Sequence, residues 1–175
     1  VGSIITTTGY ATTDFNVWPV FSKTILVILM FVGACAGSTG GGFKISRLLI
    51  LCKAIPKQLS LVIHPREVKV IRMDGKPIDH NTLRSTNVYL AIYFFILLVS
   101  TLLISVDNFN LTTNFTAVAS TLNNIGPGLD SVGPTRNFGM YSDFSKFVLM
   151  FDMLAGRLEL YPLLILFMPS LWRRK

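Results

Sequence analysis

The stretch Ile4-Ile5-Thr6-Thr7-Thr8-Gly9-Tyr10 places three hydroxyls and a glycine together near the start of a strongly apolar chain. A polar turn before the hydrophobic run that follows is one explanation. Another is a row of backbone carbonyls that replaces the water around an ion, because carbonyls turned one way need the unusual backbone angles that glycine allows. The rest of the sequence bears on the choice between these two interpretations.

The composition favours a membrane protein over a soluble enzyme. Apolar residues make up 51% of the 175 residues and charged residues 14%, whereas about a quarter of a soluble domain is charged. Cys35, Cys52, His64 and His80 form no convincing metal or catalytic cluster. No Ser/His/Asp, HExxH or paired-carboxylate pattern supports a membrane enzyme, so we predict neither an enzyme nor a bound cofactor.

Three apolar stretches could cross a bilayer, which takes about 20 residues. These stretches are 21–57, 85–106 and 142–171. The first is too long for one span and is interrupted by Gly37-Ser38-Thr39-Gly40-Gly41-Gly42, and the second holds no charge. The third contains Asp152, Arg157 and Glu159.

A short segment between the second and third spans is predicted to enter the membrane without crossing it. Residues 110–123 are helical in character but too few and too polar to span, and Asn124-Ile125-Gly126-Pro127-Gly128 cannot continue a helix. Irregular backbone at membrane depth is tolerated only where it is buried in protein or lines a water-filled cavity. This pattern is typical of a re-entrant pore loop.

The distribution of charge predicts the orientation. Nine of the 16 basic residues lie between Lys44 and Arg84 and three more at 173–175, whereas 107–143 is slightly acidic. Positive loops stay cytoplasmic, so we expect a cytoplasmic loop at 58–84 and a cytoplasmic C-terminus. Topology thus explains the net charge of +7, and a nucleic-acid partner is not expected. Alternating residues around Asp74-Gly75 predict a short β-hairpin in the loop.

The sequence contains an internal repeat. Ser/Thr-rich sequence leads to both Gly9 and Gly126, Phe-Ser-Lys recurs at 21–23 and 144–146, and Gly33 falls opposite Gly156. The repeating unit is outer helix, half-helix, glycine-containing filter and inner helix. We predict an all-α membrane protein with potassium-channel-like units.

The predicted units have definite bounds. Residues 1–57 are the end of one unit, 58–84 the cytoplasmic loop and 85–175 a complete unit. Within the complete unit we expect an outer helix at 85–106, a pore helix at 110–123, a filter at 123–128 and an inner helix at 142–171.

Four motifs, in order, resemble the Trk/Ktr/HKT superfamily of potassium transporters, most closely its TrkH/TrkG-type bacterial uptake subunits. The motifs are TTTGYATTDF (6–15), GACAGSTGGGFKISR (33–47), NNIGPGL (123–129) and MLAGRLELYP (153–162). Such proteins have four units around one pore. The resemblance implies that this chain is a C-terminal fragment holding the end of unit three and all of unit four.

Both glycine-containing segments are therefore predicted to be ion filters. The residues expected to hold K⁺ are Thr6, Thr7, Thr8, Gly9, Asn123, Asn124, Ile125 and Gly126. Tyr10 and Pro127 are expected to pack behind or above them. In the family, glycine at this position accompanies potassium preference, which implies K⁺ as the transported ion. The alternative is that both segments are ordinary turns.

The glycine-rich stretch is predicted to be a movable gate beneath the filter. The residues assigned to the gate are Gly37, Ser38, Thr39, Gly40, Gly41, Gly42 and Arg157. A phosphate-binding loop would end in Gly-Lys-[Ser/Thr], and Gly42-Phe43-Lys44-Ile45 lacks this ending. A helix kink or a close-packing site is the alternative.

Arg157 is the most informative single charge, because a cation at the bilayer centre costs roughly 2.5–3.5 kcal/mol. Asp152 and Glu159 do not have the spacing of a good helical ion pair with it. The resemblance implies that Arg157 projects into the ion path beside the gate. The alternative is a structural pair with one of these carboxylates.

The sequence thus predicts a multi-pass potassium-uptake subunit of a bacterial plasma (inner) membrane. The alternative is an alternating-access cation symporter, coupled to H⁺ or Na⁺, with broken helices. By resemblance, the expected partners are K⁺, the lipid bilayer, a second copy in a homodimer and a cytosolic ring of nucleotide-binding regulatory subunits.

Overall fold

The computed structural model describes residues 1–33, 41–64, 71–73 and 75–158. Within these ranges the chain is mainly helical, as predicted. The helices are α1 (Gly2–Ile5), α2 (Val20–Phe31), α3 (Ile45–Ile63), α4 (His80–Ile104), α5 (Leu111–Leu122) and α6 (Asp143–Leu158). There are two short strand pairs, β1 (Val32–Gly33) with β2 (Phe43–Lys44) and β3 (Arg72–Met73) with β4 (Lys76–Pro77). Short 3-10 helices at Phe15–Val17, Ser105–Asp107, Asp130–Val132 and Phe138–Met140 complete the regular structure of the described residues.

Helix α4 is apolar on both of its faces. Its inner face is buried against the rest of the chain, and the buried residues recur every three or four positions: Tyr89, Tyr93, Leu97, Ser100 and Ile104. Its outer face exposes Phe95, Leu98 and Leu102. In the described ranges, Asn81–Asp107 is the one helical stretch long and apolar enough to span a membrane, with a mean hydropathy of 2.4. Two apolar faces are typical of a helix between protein and hydrocarbon.

Helix α5 is short, polar in sequence and almost entirely buried. Its buried hydroxyls are satisfied locally, since the Thr116 Oγ1 donates to the Thr112 carbonyl at 2.7 Å and the Thr121 Oγ1 to the Ala117 carbonyl at 2.9 Å. Such bonds to the preceding turn remove the cost of burying a hydroxyl. The main apolar core forms where α5 packs against α4 and α6, around Leu97, Val118 and Leu149.

The first apolar stretch is broken, as the glycine-rich sequence predicted. Helix α2 ends at Phe31 and helix α3 begins at Ile45, so the interruption is wider than 37–42. Strands β1 and β2 pair in parallel across its two ends, with Val32 opposite Phe43. We call residues 32–33 and 41–44 the loop neck. Residues 37–40 of the predicted gate lie outside the described residues.

Several predicted bounds need correction. Helix α3 continues through 58–63, because Leu59, Val62 and Ile63 extend its apolar period, so the helix reaches into the predicted loop 58–84. Helix α4 begins at His80 instead of residue 85, and α6 is described only as far as Leu158. The predicted hairpin is present, with Met73 opposite Lys76 and Gly75 at a φ of 78°.

A buried polar contact joins helices α4 and α6. Asp152 is fully buried, and its Oδ1 accepts a hydrogen bond of 2.7 Å from the Ser100 Oγ. A buried carboxyl that loses a hydrogen-bond donor suffers the full desolvation penalty. This contact therefore fixes the position of α6 relative to α4.

We expect Ser100→Ala to destabilise the protein by about 1–3 kcal/mol, because it removes this donor from a buried carboxyl. The measurement is the melting temperature of the purified full-length protein in detergent. Ser105→Ala is the matched control, since the Ser105 Oγ donates only to the Thr101 carbonyl of the preceding turn. Equal melting temperatures for the two variants would contradict the expected role of the Ser100–Asp152 contact.

Candidate ion-filter site

The two glycine-containing segments, residues 6–9 (the first segment) and 123–126 (the second segment), have the same backbone conformation. Thr7 and Asn124 both have a φ of 55°, and Gly9 and Gly126 have φ values of 78° and 108°. Left-handed residues thus alternate with an intervening residue of negative φ in both segments. Such alternation turns neighbouring carbonyls toward one side, which an extended strand does not do.

Each segment also forms the same backbone hydrogen bonds to the helix before it. In both, three consecutive N–H groups reach back to carbonyls of that helix. In the first segment the bonds are Thr6 to Gly2, Thr7 to Ile4 and Thr8 to Ser3, and in the second Asn123 to Ala119, Asn124 to Thr121 and Ile125 to Ser120. The N–H groups are satisfied and point back toward the helix, so the segment carbonyls can face elsewhere.

The two segments lie against each other at Gly9. A Cβ added to Gly9 would overlap the carbonyl oxygen of Ile125, and it would lie 3.2 Å from the Cδ of Pro127. Glycine is therefore required there both by the left-handed φ and by this close approach. The first segment is placed directly beside the carbonyl of the second.

Side-chain oxygens add to the first segment. The Thr6 Oγ1 and the Thr8 Oγ1 lie 2.8 Å apart, and the Thr6 hydroxyl also bonds the Gly2 carbonyl at 2.8 Å. Thr6 and Thr8 are both exposed, and Thr7 is half-buried. A cavity of about 420 Å³ borders Thr7 and Thr8 together with residues 124–126 of the second segment. Carbonyl and hydroxyl oxygens of this kind can replace the water shell of a cation.

The second segment is fixed to helix α6. The Asn124 Nδ2 donates to the Met153 carbonyl at 3.1 Å. A Cβ at Gly156 would overlap the Leu122 carbonyl, so the backbone of α6 at Gly156 lies directly against the backbone at the end of α5. Gly33, which the repeat pairs with Gly156, is similarly close to backbone, because a Cβ there would lie 2.9 Å from the Gly41 carbonyl.

Two further predicted site features can be located. Tyr10 is 84% exposed in this chain, so the prediction that it packs behind or above the segment is wrong for the described structure, whereas Pro127 does lie against Gly9. Of the predicted gate, Gly41 and Gly42 lie beneath the second segment: a Cβ at Gly42 would be 2.8 Å from the Asn123 Oδ1. Arg157 lies exposed in the last turn of α6.

The sequence did not predict a contact that joins the stretches of chain following the two segments. The Asn16 Oδ1 accepts from the Asp130 N–H at 2.8 Å, and the Asn16 Nδ2 donates to the Asp130 carbonyl at 3.1 Å. Asp130 has a left-handed φ of 58°, and its side chain accepts from the Thr113 Oγ1 at 2.9 Å. Only a left-handed tendency of Asp could have marked this position in the sequence.

These features define a class. A membrane-type helix, a broken apolar helix and two oxygen-bearing segments that follow short helices are typical of a helical cation-transport protein with re-entrant segments. In the described residues no cluster of three or more His, Cys, Asp or Glu side chains could hold a metal ion.

Comparison with known proteins identifies the family. Residues 2–174 match the family model TrkH, described as cation transport protein. The chain is 40% identical over 171 residues to the Trk system potassium uptake protein TrkH of Vibrio parahaemolyticus, covering 98% of the chain and 35% of that protein. It is 37% identical over 173 residues to TrkH of Escherichia coli K12, covering 99% and 35%.

A solved structure agrees with the sequence comparisons. The crystal structure of the potassium transporter TrkH from Vibrio parahaemolyticus superposes with a TM-score of 0.86 at 39% identity, covering 97% of this chain and 36% of that one. This chain belongs to the TrkH cation transport protein family. It spans about a third of the length of these relatives.

We expect Asn16→Ala to release the outer contact and to speed amide hydrogen exchange at Asp130, because the Asp130 N–H loses its acceptor. Loss of one such bond, worth about 1 kcal/mol, corresponds to roughly fivefold faster exchange. Asn137→Ala is the matched control, since the Asn137 Oδ1 caps only the nearby Gly139 N–H. Asn137→Ala should speed amide exchange at Gly139 and leave the exchange rate at Asp130 unchanged. Equal exchange rates at Asp130 in the two variants would contradict the predicted role of the Asn16–Asp130 contact.

Proposed function

We propose that this chain supplies two of the filter segments of a potassium-uptake protein that conducts K⁺ across a bacterial membrane. The observation that carries the proposal is the matched backbone of the two segments, with Gly9 seated against the Ile125 carbonyl. Relatives that share 33–40% identity are named potassium uptake proteins, which supports K⁺ as the ion.

The proposed K⁺ ligands are backbone carbonyls of both segments with the hydroxyls of the first. Oxygens held at fixed positions exchange for the hydration shell of K⁺ without any change in covalent bonding. A negative-inside membrane potential contributes about 2.3 kcal/mol per charge for each 100 mV. That driving force is enough to accumulate K⁺ by conduction alone. Single-channel currents in the full-length protein would distinguish conduction from alternating access coupled to H⁺ or Na⁺.

The gate is proposed to be the glycine-rich stretch 37–42 together with Arg157. Its support is that Gly41 and Gly42 lie directly against Asn123, the first residue of the second segment. The four-unit arrangement, the cytoplasmic placement of 58–84 and of the C-terminus, the homodimer and the cytosolic regulatory ring stay predictions from the resemblance and from the charge distribution.

The general test is K⁺ uptake by the full-length protein in a bacterial cell that lacks its own potassium uptake systems. Competition with Na⁺ and Rb⁺ then gives the selectivity. We expect uptake that Rb⁺ competes for and Na⁺ does not. Correctly inserted protein that restores no K⁺ uptake would contradict the proposal.

We expect Gly9→Ala to abolish the preference for K⁺ over Na⁺, because a methyl group there displaces the Ile125 carbonyl. Backbone strain of about 1–3 kcal/mol corresponds to a change of roughly five- to 150-fold in the uptake ratio. Gly75→Ala is the matched control, since Gly75 has the same φ of 78° but nothing within 4 Å of its added Cβ. Unchanged selectivity in Gly9→Ala would show that the first segment is not a filter.

We expect Arg157→Ala to raise the rate of K⁺ uptake, because it removes a positive charge proposed to lie in the closed ion path. The measurement is the initial uptake rate at equal amounts of inserted protein. Arg84→Ala removes an exposed cation from the start of α4, away from both segments, and should leave the rate unchanged. Unchanged or slower uptake in a folded Arg157→Ala protein would contradict the gate assignment.

A further inference from the structure

Tyr93, in the middle of α4, contacts both ends of the broken helix. Its ring centroid lies 6.4 Å from that of Phe31, the last residue of α2, in an edge-to-face arrangement. It also lies 6.3 Å from the ring of Phe43, which opens strand β2 on the other side of the break. Tyr93 is only 2% exposed. The Tyr93 ring thus packs against Phe31, which precedes the loop neck, and against Phe43, which lies within it.

The hydroxyl of the same side chain reaches the second segment. The Tyr93 Oη donates to the Asn123 Oδ1 at 2.8 Å, and the Asn123 Nδ2 donates to the Ala119 carbonyl at 2.7 Å. Asn123 has no exposed surface. Both ends of its amide are therefore used, and its side chain is held in one orientation.

The Asn123 residue, whose side chain is held in one orientation, also lies directly against the loop neck. A Cβ added to Gly42 would lie 2.8 Å from the Asn123 Oδ1, and one added to Gly41 would lie 2.5 Å from the Asn123 carbonyl oxygen. The oxygen that accepts from Tyr93 is the one that Gly42 faces. A shift of the amide would therefore be felt by the neck and by the backbone of the second segment.

We propose that Tyr93 is a positioning residue that fixes the loop neck under the second segment, its ring holding Phe31 and Phe43 and its hydroxyl holding Asn123. This inference rests on the proposed function, in which Gly41 and Gly42 of the neck belong to the gate and Asn123 to a filter. The Tyr93 hydroxyl links the two: it restrains the position of the neck by restraining the Asn123 amide, which lies against Gly42. Tyr93 touches no ion and acts through Asn123.

The test uses Tyr93→Phe in the full-length protein, which keeps the ring and removes only the hydroxyl. The first readout is hydrogen–deuterium exchange of the purified protein, which needs no transport activity. We expect exchange at the amides of Phe43 and Lys44 to rise roughly three- to tenfold, the effect of losing one buried hydrogen bond. The second readout is K⁺ uptake, where we expect a higher maximal rate with an unchanged KM.

Tyr141→Phe is the matched control. The Tyr141 Oη donates to the Asn114 Oδ1 at 3.0 Å, so the same buried pair of side chains occurs at the outer end of α5. Burial raises the pKa of Tyr141 to about 12, which keeps its hydroxyl a donor in the assay. Tyr141→Phe should speed exchange near Asn114 and change neither the exchange at the neck nor the maximal uptake rate.

A second background tests whether Tyr93 acts through Asn123. In Asn123→Ala, the added change Tyr93→Phe should alter neck exchange no further. The proposal is overturned if Tyr93→Phe leaves neck exchange unchanged, if Tyr141→Phe changes it equally, or if the effect of Tyr93→Phe persists in Asn123→Ala. Absence of K⁺ uptake by the wild-type protein would overturn the proposed function instead, and neck exchange would still decide the role of Tyr93.

Discussion

Irregular backbone at membrane depth needs partners for its N–H groups, and this requirement organises the structure. Both segments meet it in the same way, by directing consecutive N–H groups to carbonyls of the helix that precedes them. The last carbonyls of a helix have no following turn to bond with, so the same hydrogen bonds also give partners to carbonyls at the end of each helix. The carbonyls of the segments themselves are left available. The ends of helices α1 and α5 therefore determine which backbone atoms of the segments stay available for the proposed ion site.

Buried side-chain amides then connect the second segment to its surroundings. Asn123 joins it to α4 through Tyr93, and Asn124 joins it to α6 through the Met153 carbonyl. An unsatisfied polar group is expensive in an apolar environment, so such contacts resist rearrangement more than apolar packing alone. Glycines contribute in a different way, by allowing close approach where a side chain would not fit. At Gly9, Gly42 and Gly156 the chain approaches another backbone or a buried amide where no Cβ would fit.

The sequence predicted those features that depend on neighbouring residues. The apolar run of α4, the interruption after α2 and the turn at Gly75 all follow from local composition and are present. The cluster of basic residues predicts a loop from residue 58, but α3 continues through 58–63 because its apolar period extends that far. The exposure of Tyr10 and the contacts Asn16–Asp130 and Tyr93–Asn123 could not be predicted. These partners lie 114 and 30 residues apart, and nothing local marks either pair.

The Asn16–Asp130 contact has a mechanical consequence. Asn16 binds the backbone of Asp130, while the Asp130 side chain binds Asn110 and Thr113 at the start of α5. Asp130 thus takes part in two contacts, so tilting α5 relative to the chain around Asn16 would break hydrogen bonds at Asp130. In the proposed function, these contacts hold the chain around Asn16 and the start of α5 together. Substitutions that alter opening are therefore expected among the residues that border the loop neck.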